Sequence, residues 1–385
     1  MTGRRPGANG ISMIRVLFLC EFGTRNGGEN SLLAVLPSLL QEGIQPIVAA
    51  PAPSELADQL IQQEVETVSW NPRIVTGQQD SIIQRREMIK QLVDTTQPDL
   101  VHANSLSMSR LAGPVTSCLG IASVGHLRDM MNISAQAIRD LNLHSRLLAV
   151  SKATRDWYVA RGVDNQRVQV LYNGVALDQF FPSDAEGSLH QHLGLDKNVP
   201  ILGGVGQLGL RKGWEILLEA MPLVRNHFPE VHLTIVGERH SEKQEVIDYE
   251  QRLIEMASHK QLRGHVHFLG RRDDVSVLLQ QWTALVHPAR QEPLGRVLLE
   301  AAASGCPVVA TEVGGTREIF PATESDGALL VPPDSPREMA ESICQLLRLP
   351  QLRCDLEQAG RQRASKCFDV SQSASRLVRH YRELA

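Results

Sequence analysis

The chain has 385 residues, 42% hydrophobic, 21% charged and only 4% aromatic, which suits a globular protein with room for two domains of similar size. Thirty-nine basic against 43 acidic residues give a net charge of −4, and with so few aromatic rings this speaks against a nucleic-acid-binding surface. Cys20, Cys118, Cys306, Cys344, Cys354 and Cys367 form no C-x-x-C pair, which excludes the usual zinc signatures and points to a reducing compartment.

The first residues, MTGRRPGANGIS, are polar and glycine-rich with no apolar segment of the kind a secretory signal carries. Residues 1–12 are therefore expected to be disordered, with Met13 an equally good start. VLFLC after Arg15 reads as a buried strand, and a glycine turn leads into a helix through SLLAVLPSLLQEG with Gly43 as its cap. PIVAA, DLVHANS, IASVGHL, RLLAVS and VQVLYNG are further strands, separated by helical stretches such as SIIQRREMIKQLVDTT. The polar segment 181–200 reads as a linker. Alternation then restarts with the strands ILGGVGQ, HLTIVG, HVHFLG, ALVHPA, PVVATE and GALLV, and an amphipathic helix closes the chain. Repeated βα alternation predicts an α/β fold of two doubly wound, Rossmann-like domains, with ligands at the carboxyl ends of the strands, in the cleft between the domains. The expected division is 13–182, 183–368 and a terminal helix 369–385 packing back on the first domain. No apolar run approaches the roughly 20 residues that span a bilayer, so a cytoplasmic location is expected.

Gly204-Val-Gly206-Gln-Leu-Gly209 satisfies G-x-G-x-x-G, a dinucleotide fingerprint. Such a site needs an acidic residue closing the next strand to accept from the ribose. Glu230 opens that strand, and Glu238 closes it but lies well beyond the required spacing. What remains is a strand end, flexible backbone and the cations Arg211 and Lys212 just before a helix starting near Gly213. Helix-terminal N–H groups favour phosphate oxygens, Arg adds a bidentate fork and Lys a point charge. A solvated basic pair is the competing reading of these residues alone.

Downstream, HPARQEPLGRVLLEAAASGCPVVATEVGG runs from a strand end through a helix into another strand, with Glu292 and Glu300 separated by seven residues. A helix starting near Leu294 would put Glu292 before its first turn and Glu300 two turns in. A carboxylate accepts two hydroxyl hydrogen bonds, which suits the vicinal diols of sugars and ribose.

This arrangement resembles the E-x7-E motif of the family 4 glycosyltransferases. The resemblance covers nearly the whole chain, in order: Gly27-Gly28-Glu29, YNGVALDQFFP, GQLGLRKG, LTIVGE, FLGRRDDV, EPLGRVLLEAAASGCPVVAT and GALLVPP. It implies the two-domain GT-B fold and a retaining hexosyltransferase that moves a sugar from a nucleotide-diphosphate sugar to an acceptor hydroxyl, in polysaccharide or glycolipid synthesis. By the same resemblance Lys212 holds the donor diphosphate, Glu292 contacts the donor sugar and Glu300 binds the ribose. Leu294, Gly295 and Arg296 offer backbone N–H groups to the donor, and Gly206, Gly27 and Gly28 shape the loops beside it. His126 is expected to act in catalysis with Glu292, and Arg25, Arg128 and Asp129 to touch the acceptor. Two departures change the pocket. Gln207 stands where the family usually has arginine, so Arg211 is the expected substitute cation, and EPLG replaces the common E-G-F-G, so donor-sugar identity does not carry over.

No metal and no cofactor beyond the nucleotide-sugar donor is expected. The expected partners are that donor and a saccharide or lipid-linked acceptor, with no nucleic acid. A further expectation is peripheral attachment to the inner membrane face through IIQRREMIKQL, a stretch that carries three cations and one acid. A nucleotide-sugar 2-epimerase and a non-catalytic nucleotide-sugar-binding subunit are the alternatives. Product formation without acceptor would mark the first, and binding without turnover the second.

Overall fold

A computed structural model describes residues 13–72, 81–184, 186–322 and 327–385. The expected disordered extension 1–12 lies outside them. The chain divides into two compact units, Met1–Gly174 with Val370–Ala385, and Val175–Asp369. The division thus falls earlier than the expected boundary after Pro182, and the terminal helix belongs to the first unit.

Unit 1 holds β1 (Ile14–Leu19), β2 (Ile44–Ala50), β3 (Glu66–Ser69), β4 (Leu100–Ala103), β5 (Ala122–Leu127), β6 (Arg146–Ala149) and β7 (Val168–Val170), in the order β3-β2-β1-β4-β5-β6-β7. Every pairing is parallel. Because successive side chains alternate between faces, both faces of such a sheet must be apolar and covered. Val16, Phe18 and Cys20 face one core with the helices Gly27–Gln41 and Val370–Leu384, while Leu17 and Leu19 face another with the helices Ile82–Thr96 and Leu106–Leu119. The terminal helix buries Ala374, Leu377, Val378 and Tyr381 along one stripe and packs on the helix Gly27–Gln41.

Unit 2 holds β8 (Ile201–Val205), β9 (His232–Val236), β10 (Val266–Gly270), β11 (Ala284–His287), β12 (Val308–Thr311) and β13 (Leu329–Val331), in the order β10-β9-β8-β11-β12-β13, again all parallel. Trp214, Leu217, Met221 and Val224 of the helix Trp214–Arg225 pack on this sheet. Strand order reverses between β1 and β4 in unit 1 and between β8 and β11 in unit 2. Loops leaving neighbouring strands part at such switch points, and the crevice outside the carboxyl ends is where ligands bind.

Two segments differ from expectation. The stretch 181–200, read as a linker, lies in unit 2 and contains the helix Ser188–Leu193. Its polar sequence hides two anchors: Leu189 and His190 are buried, and the Leu189 N–H donates to the buried Gln281 side chain at 2.7 Å. The strand β3 was not expected, because ETVS carries little apolar content and serves as a sheet edge paired only with β2.

Candidate active site

In unit 2 the glycine-rich stretch leaves β8 and wraps into a short 3-10 turn, Leu210–Lys212, before the helix Trp214–Arg225. Gly213 joins the two at φ +62°, and a Cβ there would lie 2.3 Å from the Pro288 carbonyl. Only glycine permits that conformation beside so close a backbone. The turn is held from both sides. Trp214 Nε1 donates to the Gln207 carbonyl at 2.9 Å, the Arg290 N–H donates to the Arg211 carbonyl at 2.9 Å, and the Arg290 guanidinium donates to the Leu210 carbonyl at 3.1 Å. Arg290 is fixed in turn by Glu215 (2.5 Å) and Asp334 (2.6 Å).

That frame aims Lys212 at Glu292. Lys212 Nζ donates to Glu292 Oε2 at 2.6 Å, and His287 Nε2 donates to the same oxygen at 2.9 Å. The Lys212 and Glu292 side chains are only 11% and 8% exposed. Burial by itself would raise the Glu292 pKa, but Lys212, the His287 hydrogen bond and Arg211 outweigh it and hold the carboxyl well below its ordinary value. His287 is pushed down by burial and by Lys212, so it is neutral at pH 7 with its proton on Nε2. Its buried Nδ1 has no partner among the described residues. Glu292 itself is gripped by the loop after β12. The Gly315 N–H donates to the Glu292 carbonyl at 2.9 Å, and a Cβ on Gly314 (φ +53°) would lie 1.9 Å from that oxygen.

Arg211 is half-buried and carries no ion pair among the described residues, whereas Gln207 is exposed. Gly206 lies under Lys212, since a Cβ there would sit 3.1 Å from the lysine Cε. The helix after Glu292 spans Arg296–Ala303, so it begins later than expected and Glu300 lies one turn in, not two. Leu294 is buried, and Gly295 (φ +105°) leads into the helix. The Arg296 side chain is ion-paired with Glu300 at 2.8 Å along the helix. Lys212, Arg211, Glu292 and the start of this helix therefore converge where loops from β8 and β11 part.

In unit 1, Gly27 and Gly28 open the helix Gly27–Gln41 and are not part of a flexible loop. A Cβ on Gly28 would meet Arg128 Cδ at 3.3 Å, so the arginine side chain lies directly against this glycine. The Arg128 guanidinium donates to the Asn104 carbonyl (3.0 Å), to Asn104 Oδ1 (2.9 Å) and to Asn173 Oδ1 (2.9 Å). Arg25 is tied to Glu55 (3.7 Å) and Asn30 (3.2 Å). Asp129 is exposed, and its carbonyl accepts from the Tyr158 hydroxyl at 2.9 Å. His126, one residue before the end of β5, is buried, with His102 Nε2 3.1 Å from its Nδ1. A cavity of ≈ 280 Å³ lies at these strand ends, lined by Glu21, Phe22, Ser105, Arg110, Asp129 and Ser134. A shallower depression of ≈ 470 Å³ lies near the amino ends of β5 and β6 and has no acidic or histidine lining, so the smaller cavity is the better candidate for a hydroxyl-bearing ligand.

Sequence reasoning missed His287, Asn104, Arg290 and the grip of Gly314 and Gly315 on Glu292. A histidine closing an apolar strand five positions before Glu292 was the available signal for the first. The others depend on contacts distant in sequence. Among the described residues no cluster of three or more His, Cys, Asp or Glu is arranged for a metal ion, and no helix is long and apolar enough to cross a membrane.

The family described as Glycosyltransferase Family 4 matches residues 25–179, and Glycosyl transferases group 1 matches residues 186–363. A phosphatidyl-myo-inositol mannosyltransferase of Mycobacterium leprae is 31% identical over 242 residues, 62% of this chain and 59% of the relative. A D-inositol 3-phosphate glycosyltransferase of Corynebacterium urealyticum is 28% identical over 235 residues, 59% of this chain and 54% of the relative. The aligned stretch thus spans little more than half the length of either. Among solved structures, Anabaena HepE in complex with UDP and glucose superposes with a TM-score of 0.84 at 24% identity, covering 96% of this chain and all of that one. Likeness at that identity establishes the fold, which is GT-B. With both sheets, both switch points and both family matches accounted for along one chain, it belongs to the family 4 glycosyltransferases.

Proposed function

We propose that this chain is a retaining glycosyltransferase that transfers a sugar from a nucleotide-diphosphate sugar to an acceptor hydroxyl. The observation that carries the proposal is the cluster at the unit 2 switch point. There a lysine held against a buried carboxylate and the half-buried Arg211 stand beside a helix start whose own N–H groups lack intrahelical partners. In transfer, the bond from the sugar C1 to the diphosphate oxygen breaks and a bond from C1 to the acceptor oxygen forms. The acceptor proton goes to a diphosphate oxygen, leaving a nucleoside diphosphate and a glycoside. Charge builds on the diphosphate as C1 becomes oxocarbenium-like, and fixed donors aimed at such charge contribute about 3–4 kcal/mol each. Lys212 and Arg211 are the residues for that task, with Arg211 in place of an arginine at position 207. As the diphosphate takes Lys212, the Glu292 carboxylate is released to accept from sugar hydroxyls, while Glu300 accepts from the ribose. Because these cations supply the counter-charge, transfer is proposed to proceed without a divalent metal, and activity is expected to survive EDTA.

The relatives named for inositol and phosphatidyl-inositol substrates support a polyol or lipid-linked acceptor, and glycolipid or polysaccharide synthesis as the setting. In unit 1 the cavity bearing Glu21, Arg110 and Asp129 offers the acceptor both charge signs. Peripheral membrane contact belongs to the same proposal. Ile82 and Ile83 are exposed with Lys90 on the helix Ile82–Thr96, although Arg86 is drawn away into an ion pair with Asp140 at 2.8 Å. Co-sedimentation with anionic vesicles tests it.

The deciding experiment is a thermal-shift panel of UDP-, GDP-, ADP- and dTDP-sugars beside NAD, followed by NMR of the product's anomeric centre. A ligand at 100 times its Kd stabilises by about 2.7 kcal/mol. Stabilisation by one nucleotide-sugar class and a product of retained configuration are expected. Stabilisation by NAD alone, or conversion of the donor sugar without acceptor, would overturn the reading.

A further inference from the structure

At the carboxyl ends of β4 and β5 three buried polar rings form a chain that starts on the terminal helix. Tyr381 Oη lies 2.5 Å from His102 Nδ1, and His102 Nε2 lies 3.1 Å from His126 Nδ1. The three residues are 0%, 1% and 3% exposed. Phe18 clamps the middle of the chain, stacked on His102 at 5.0 Å and edge-on to Tyr381 at 6.4 Å. The last atom, His126 Nε2, is buried and has no hydrogen-bond partner among the described residues.

Proton positions follow from counting donors. Burial, then the charge of Arg128, keeps both imidazoles neutral, and burial keeps the phenol protonated. Each neutral imidazole has one N–H and one bare nitrogen, so the chain can run in two directions. If His126 Nδ1 donates to His102 and His102 Nδ1 donates to Tyr381, the phenol O–H is left without an acceptor and His126 Nε2 without a donor. In the opposite direction the phenol donates to His102 Nδ1, and His102 Nε2 donates to His126 Nδ1. Only the His126 Nε2–H is then unmet. Leaving one buried group unmet costs less than leaving two, and a phenol is a better donor to imidazole than the reverse.

We infer that Tyr381 and His102 are positioning residues that hold His126 in the tautomer protonated on Nε2, so that His126 presents a hydrogen-bond donor to a substrate oxygen and is not a base. The unmet N–H is what a sugar hydroxyl or phosphate oxygen would satisfy. The functional consequence rests on the glycosyltransferase reading proposed above, but the proton position does not. The terminal helix thereby has a second task beyond packing: its tyrosine sets the proton at the far end of a chain of three side chains.

The test uses the whole chain with 15N-labelled histidine and long-range proton–nitrogen correlation, with His126→Gln identifying the signals. In the wild type His126 is expected to show a protonated Nε2 and a bare Nδ1. In Tyr381→Phe, which keeps the ring and removes only the hydroxyl, His126 is expected to become a mixture of tautomers. Turnover of the nucleotide sugar is expected to fall about tenfold, the low end of the loss on removing the outer-shell partner that orients a metal-bound histidine, with KM nearly unchanged. His126→Gln keeps an N–H donor and is expected to retain more turnover than His126→Phe. A wild-type His126 protonated on Nδ1, or an unaltered tautomer in Tyr381→Phe, overturns the inference. Absence of transfer to every acceptor would overturn the proposed function and leave the nitrogen spectrum to decide this point by itself.

Discussion

The Lys212–Glu292 pair makes the unit 2 site depend on its own charges, and Glu292→Gln tests this with almost no change of shape. At 2.6 Å and an effective dielectric near 20, the gross attraction is on the order of 6 kcal/mol. Desolvation of two side chains that are 11% and 8% exposed offsets much of it. Removing one partner, however, leaves the other charge buried and uncompensated, which costs about 3–5 kcal/mol. At about 2–4 °C per kcal/mol for a unit of this size, Glu292→Gln is expected to lower the melting temperature by roughly 10 °C at pH 7.5. The double variant Lys212→Met with Glu292→Gln is expected to recover most of the loss, because no lone charge remains. The pH dependence has a definite sign. Since the folded carboxyl titrates below its ordinary value of 4.5, its contribution is complete above that pH and is lost as pH falls below it, so wild type and variant converge in acid. A nucleoside diphosphate would return an anion to Lys212 and stabilise the variant more than the wild type. A single variant melting within about 2 °C of wild type would refute the reasoning, on this scale of degrees per kcal/mol.

Three further outcomes are expected. His144 is fully buried between Ser123 Oγ (3.0 Å) and the Ser109 carbonyl (2.7 Å), and burial lowers its pKa from 6.5 to about 4. The wild type should therefore lose on the order of 3 kcal/mol as pH falls from 6.5 towards 4; urea titrations at both ends should give His144→Gln a smaller loss, and an identical one counts against it. Gly314→Ala forces a Cβ to 1.9 Å from the Glu292 carbonyl at φ +53°, whereas Gly120→Ala, at φ +67°, meets nothing within 4 Å. The first is expected to weaken nucleotide-sugar binding and to destabilise by more than the ~1–2 kcal/mol left-handed penalty the second bears alone, as read by thermal shift. Arg211→Ala is expected to lower turnover by roughly a hundredfold, the scale of one lost transition-state donor, and Gln207→Ala by far less; equal small losses would remove Arg211 from its assigned role.

Both sheets were legible in the sequence because their strands are short, apolar and β-branched. In a sheet covered on both faces every position of such a run is buried, as in VLFL and VVAT. Where burial is one-sided the pattern fades. ETVS pairs only at an edge, and SLHQHL is held by Leu189 and one amide, so neither announces itself. Lys212 and Glu292 were legible for a different reason. Each belongs to a strand–turn–helix stretch whose glycines and charges are adjacent in sequence, so one local motif carries both geometry and chemistry.

His126 shows why local motifs stop short. Seen alone, a histidine at a strand end is most simply a satisfied structural group, and its neighbours in sequence do not show which way its ring nitrogens are partnered. Its surroundings come from three places: His102 two strands' length away along the chain, Arg128 beside it, and Tyr381 on the terminal helix, which the fold returns to unit 1. The separation between His102 and Tyr381 is 279 positions, beyond any periodicity that amphipathic reading can detect. What the sequence does disclose is that Tyr381 lies on the buried stripe of an amphipathic helix, where an apolar residue would pack as well and would leave no hydroxyl to satisfy. A buried hydroxyl on an otherwise apolar stripe needs a partner, and its partner here leads through His102 to His126, whose Nε2 is buried with no hydrogen-bond partner among the described residues.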